Sequence, residues 1–186
     1  MAKDERTITI NAVADGGEPS GFRFWMVENG QTITQMVFNK KNDNLKKSQF
    51  YAVTFALDPV NNGGLRFSRD YDRVFWAKEI PSTQAPCVNS ACHLPGIFVD
   101  SKNPITDGQL TLINVNRKEQ LFAFAFNFLR PGDSDGPGTD YALYDPIGSN
   151  QNNGVSFTME SALLAGVGGL AIGAALGTFV IAPALW

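Results

Sequence analysis

Residues 121–129 read Leu-Phe-Ala-Phe-Ala-Phe-Asn-Phe-Leu. Side chains in a strand alternate between faces with a period of two, so Phe122, Phe124, Phe126 and Phe128 share one face. Ala123, Ala125 and Asn127 fall on the other. Two readings attach to such an aromatic ridge, a ligand platform and the inner face of a β-sandwich. The strand spacing favours the second.

The pattern extends outward from that ridge. Leu110–Val115 and Leu121–Leu129 flank a polar turn, Asn116-Arg117-Lys118-Glu119. Upstream, Thr7–Ala12 alternates apolar and polar residues, Phe22–Val27 follows a glycine, and Thr32–Phe38 follows Asn29-Gly30, a strong hairpin dipeptide. Phe50–Leu57 places Tyr51, Val53, Phe55 and Leu57 on one face and is stopped by Asp58-Pro59. Asn39–Lys47 is polar and basic, a loop, and Arg73–Ala77 is a further short strand. Pro131–Pro146 reads as a Gly/Pro/Asp loop with one apolar patch at Tyr141–Tyr144, and Asn150–Gly154 as a polar linker. Val155–Thr158 fits a last strand or the lead-in to the apolar C-terminal segment. Seven or eight short strands with no helical period before residue 160 predict a mainly β, antiparallel, immunoglobulin-like sandwich.

Ala162–Trp186 is different in kind. These 25 residues carry no charge and one hydroxyl, Thr178. As a helix they span ~37 Å, enough for a bilayer core of ~30 Å. Ala165, Gly169, Gly173 and Gly177 recur every four residues, which puts them on one helix face where two backbones approach closely. Seven Ala and five Gly make the segment a modest anchor and a good contact surface. The expected organisation is therefore a β-sandwich domain over 1–155, a linker over 156–161, and a single transmembrane helix over 162–186. The helix would dock onto other transmembrane helices or subunits of a membrane complex, in contact with lipid. Met1–Arg6 is charged and has no apolar stretch behind it, so no ordinary secretory signal is expected and the domain is placed on the cytoplasmic side of a tail anchor. No Lys or Arg flanks the segment, so charge does not orient it. An alternative is a viral or self-assembling shell protein that buries the apolar segment within its assembly.

Composition narrows the chemistry. The net charge is −3, and all 15 Lys and Arg precede residue 131. No basic stripe exists for nucleic acid. The chain holds one histidine, which leaves little choice of general base, and no glycine-rich stretch has phosphate-loop spacing. The expectation is a protein that is not an enzyme and holds no cofactor.

Two constellations stand out. In Cys87-Val-Asn-Ser-Ala-Cys92-His93, two cysteines followed directly by an imidazole follow the logic of covalent c-type haem attachment, with four intervening residues in place of two. An electron carrier is the corresponding function. A loop disulfide or a pair of free thiols is the plainer reading. A zinc site on the two cysteines would need two further ligands, and with a single histidine in the chain one of them would have to be a carboxylate. In Asp133-Ser-Asp135-Gly-Pro-Gly-Thr-Asp140, alternating carboxylates around a glycine turn suit an oxygen-ligated Ca²⁺, but the terminal bidentate Glu is missing. A solvated acidic loop is the better reading.

Tyr144-Asp145-Pro146-Ile147-Gly148-Ser149-Asn150, after a β-rich domain with Asp58-Pro59 closing a middle strand, resembles the C-terminal signature of the small bacterial DP-EP and inclusion-body (PixA/AidA-like) proteins. The resemblance implies a β-sandwich without established catalysis over roughly residues 5–155. The apolar C-terminal segment is not part of it.

Overall fold

A computed structural model describes residues 3–18, 20–79, 97–136, 138–144 and 146–151. Among them are twelve strands and one short helix, arranged in two six-stranded sheets that are not closed into a barrel.

The first sheet has the order β3-β2-β1-β5-β9-β8. Its strands are β1 (Lys3–Ala14), β2 (Phe22–Glu28), β3 (Gln31–Ile33), β5 (Phe50–Leu57), β8 (Phe98–Asp100) and β9 (Gln109–Asn114). The β2–β3 turn is the expected two-residue hairpin. Asn29 and Gly30 have φ of 51° and 77°, and Glu28 pairs with Gln31. Two left-handed residues match the twist of the flanking strands.

The second sheet is built around β10 (Gln120–Leu129). One edge of β10 pairs with β6 (Arg66–Phe67) and then β7 (Phe75–Glu79), and α1 (Tyr71–Val74) bulges out between them. The other edge pairs with β11 (Ala142–Tyr144) and then β12 (Ile147–Gln151). Pro146 sits at that break, and its carbonyl accepts from the Phe124 amide at 3.1 Å. A proline has no N–H to give the ladder, so the edge survives on the acceptor side alone. β4 (Gln35–Asn39) lies beyond β12.

Five features depart from the sequence expectation. The sheets are not purely antiparallel, because β1–β5 and β4–β12 are parallel pairs. The run Thr32–Phe38 is two strands, for the chain bends at Thr34 and passes from the first sheet to the second. β9 and β10 lie in different sheets, so Val115–Glu119 carries the chain from one sheet to the other instead of closing a hairpin. Arg73 and Val74 belong to α1, whose N-cap Asp70 accepts from the Asp72 amide, and the strand there begins at Phe75. β12 also takes in Asn150 and Gln151 from the expected linker.

The two sheets face each other across one aromatic core. Phe122, Phe124, Phe126 and Phe128 are all wholly buried, as the ridge predicted. Rings meet across the gap, with centroids 4.7 Å apart for Phe55–Phe126, 4.9 Å for Phe24–Tyr144 and 5.5 Å for Phe98–Phe122. Edge-to-face and offset contacts of this kind add ~0.5–1.5 kcal/mol each beyond burial. The ridge is therefore occupied by packing and is not a ligand platform.

Candidate functional site

At one end of the core the inner face of β1 changes character. Ile8, Ile10 and Ala12 point inward, and the next inward position is Arg6. Burying a guanidinium requires partners. Its Nε and Nη2 donate to the two carboxylate oxygens of Glu28 at 2.6 Å each, a bidentate pair. Nη1 donates to the Val37 carbonyl of β4. The guanidinium also lies 4.8 Å from the Phe38 ring centroid and 6.0 Å from that of Tyr51. One cation thus ties both sheets at their shared end.

Around it opens a polar groove of about 330 Å³, bordered by Asp4, Glu5, Thr7, Glu28, Asn29 and Asp43. The Tyr51 hydroxyl donates to Asp43 at 2.6 Å. Burial pushes the Tyr51 pKa up strongly, and the Asp43 carboxylate pushes it further. A phenol so held does not ionise near neutral pH and is unsuited to proton transfer. Close by, Lys40 is buried, and burial lowers its pKa. Its ammonium donates to the carbonyls of Lys47 and Val115, both at 3.1 Å, so it fastens the β4–β5 loop to the end of β9 and does not stand free as a nucleophile. Arg6, Tyr51 and Lys40 are thus each engaged in fastening the strands and loops at this end of the sandwich. Sequence reading missed Arg6, although a charged residue in the inward register of an apolar strand is the signal that would have found it.

The acidic loop forms a second fastening. Asp135 accepts from Ser68 Oγ at 2.8 Å, the Arg69 amide at 2.9 Å and the Tyr141 hydroxyl at 2.7 Å. Burial alone would raise its pKa, but these donors outweigh it and hold the carboxyl below its ordinary value. The Asp133 carbonyl accepts from Arg66, and the Asp140 carbonyl from Arg130. The loop thereby pins the β10–β11 connection to the segment between β6 and α1. Among the described residues no group of three His, Cys, Asp or Glu side chains is placed to hold a metal ion.

Cys87, Cys92 and His93 lie outside the described residues, as do Ala165, Gly169, Gly173 and Gly177. Among the described residues no helix is long and apolar enough to cross a membrane.

What the geometry defines is a mainly β domain of two open sheets around a ring-filled core. No family model matches the chain, and no curated protein matches it. Among solved structures it is similar to the inclusion body protein PixA from Burkholderia cenocepacia, at 10% identity over 80% of this chain and 97% of that one, with a TM-score of 0.27. That is the family which the Tyr144–Asn150 stretch resembles. The likeness carries no argument about fold or activity.

Proposed function

We propose that the chain is a non-enzymatic accessory subunit. Its immunoglobulin-like sandwich is held to a larger membrane complex by a C-terminal helix, with the domain on the cytoplasmic side. The observation that carries this reading is the 25-residue uncharged segment in which Ala165, Gly169, Gly173 and Gly177 recur every four residues, the spacing that one face of a helix would require. The domain supports it by what its side chains are engaged in: the aromatic ridge in packing, Arg6 and Asp135 in closing the ends of the sheets.

Two measurements test it. Membranes from cells producing the chain are washed with alkaline carbonate, and the chain is expected to stay in the pellet. Gly173→Leu should then reduce co-purification of partner subunits several-fold while the circular dichroism of the domain is unchanged. Release by carbonate, or co-purification indifferent to Gly173→Leu, overturns the proposal.

A further inference from the structure

The charges of the domain are sorted by end. β1 and β5 begin, and β4, β9 and β12 finish, at the end of the sandwich that holds Arg6. Two loops close that end, 40–49 between β4 and β5 and 115–119 between β9 and β10. Together they carry six bases and two acids. Lys41, Lys46, Lys47, Arg117 and Lys118 are exposed. Among the described side chains the exposed acids at this end are Glu5 and Asp43, and Asp43 accepts from the Tyr51 hydroxyl. The opposite end is the reverse. Segments 15–21, 58–65, 68–73, 101–108 and 130–141 carry four bases and nine acids.

The sequence scatters the bases and the fold gathers them. Lys40 and Val115 are 75 positions apart, yet the buried Lys40 ammonium donates to the Lys47 carbonyl on one loop and the Val115 carbonyl at the other, both at 3.1 Å. Asn116 Nδ2 adds a bond to the Phe38 carbonyl at 3.1 Å. Two loops of like charge are thereby held side by side against their mutual repulsion. An anionic surface brought against them relieves that repulsion.

We propose that this basic end rests on an anionic lipid surface, with the five exposed bases among the headgroups. Charge complementarity favours it, because bases close to an anionic leaflet are each attracted to it. The same leaflet repels the acidic end, so both ends turn the domain the same way. Connectivity favours it too: β12 finishes at the basic end, at Gln151, ten residues before Ala162. The inference deepens the membrane reading above and rests on it for the presence of lipid. That reading holds the chain at a bilayer, and this one assigns the end of the domain that faces it. The cytoplasmic leaflet is the anionic one, in keeping with a domain on that side.

The test uses the full chain and two kinds of vesicle, phosphatidylcholine alone and phosphatidylcholine with about one-third phosphatidylserine. Flotation at limiting lipid measures binding at low salt and at about 1 M salt, where the screening length falls to ~3 Å. Anionic vesicles should bind at least about tenfold more tightly at low salt, and the excess should vanish at high salt. Lys46→Glu/Lys47→Glu should remove most of the excess. Arg23→Glu/Lys102→Glu makes the same change in net charge on exposed side chains towards the other end, and should leave the excess within about twofold. Circular dichroism checks that both variants fold, and should the first fail, Lys41→Glu/Arg117→Glu replaces it. No excess on anionic vesicles, an excess that survives salt, or equal losses from the two variants overturns the docking. Binding to soluble polyglutamate without an excess on vesicles also overturns it, for the partner is then an acidic protein. Carbonate washing of the vesicles tells the two proposals apart. A chain that resists carbonate but shows no anionic excess keeps the anchor and loses the docking. An excess on a chain that carbonate releases keeps the docking and loses the anchor.

Discussion

The two sheets treat their inner faces alike and their outer faces differently. In the first sheet β5 alternates cleanly towards its outer end: Val53 and Phe55 are buried, whereas Thr54 and Ala56 are half-buried. Thr54 meets Thr111 of β9 through their hydroxyls at 3.0 Å, a cross-strand pair of the kind a wetted surface tolerates. In the second sheet β10 is buried at every position. Alternation therefore reports an environment and is not a property of strands. Where both faces are covered, only residue size still alternates, here rings inward and mostly small side chains outward.

The largest expected effect separates the outer faces. Ala125→Asp on β10 should destabilise the domain by at least about 2 kcal/mol, because a carboxylate beside Trp76 loses its water. The same change at Ala56 on β5 should stay within about 1 kcal/mol, near the range of surface substitutions. Urea denaturation of the two variants measures the difference. Equal losses would mean that the outer faces are energetically the same and that the contrast in burial has no consequence.

The inner faces were the legible part of this fold. Phe122–Phe128, Tyr51–Leu57 and the Asn29-Gly30 turn follow from local spacing, and local spacing is enough to assign a strand and its buried side. Pairing is not local. Nothing in Lys3–Ala14 or Phe50–Leu57 states that the two strands run parallel, and the sheet switch at Thr34 lacks the glycine or proline that marks most breaks. The site residues divide the same way. Arg6 was readable as a charge in an apolar register, but Glu28 and the Val37 carbonyl are joined to it by the fold alone. The acidic loop was readable as a cluster of carboxylates. That Asp135 is claimed by Ser68, Arg69 and Tyr141 was not, since two of the three lie more than 60 residues away.

A middle-sized effect probes how tightly the second sheet is built. Gly148 lies on the inward register of β12, opposite Phe122. A Cβ there would stand 2.5 Å from Phe122 Cε2 and Cζ. Phe122 has little room to retreat, with the rings of Phe98 and Phe124 at 5.5 and 5.9 Å. Gly148→Ala should cost about 1–3 kcal/mol through overpacking. Adding Phe122→Leu should return part of that loss, a coupling that a double-mutant cycle reads directly. No coupling would show that the glycine is needed for another reason.

The smallest effect concerns the clasp at the edge of the second sheet. Asp135 has its pKa held below the ordinary carboxylate value, so its charged form is the one the fold favours. By linkage, its contribution is present above the unfolded-state pKa of ~3.9 and is lost as pH falls through the lower folded value. The expected result is local, because the group is partly solvated and its donors come from one loop and one segment. The Arg69 amide, which donates to Asp135, should lose protection from hydrogen exchange below about pH 4 before the Thr54 amide of the first sheet does. In Asp135→Asn the Arg69 amide should be less protected at neutral pH and indifferent to the same acid step. If Arg69 and Thr54 lose protection together in the parent chain, the acid transition is global and the clasp does not open on its own. If only Arg69 responds, the second sheet is dry across its face yet fastened at its edge by a group that acid can release.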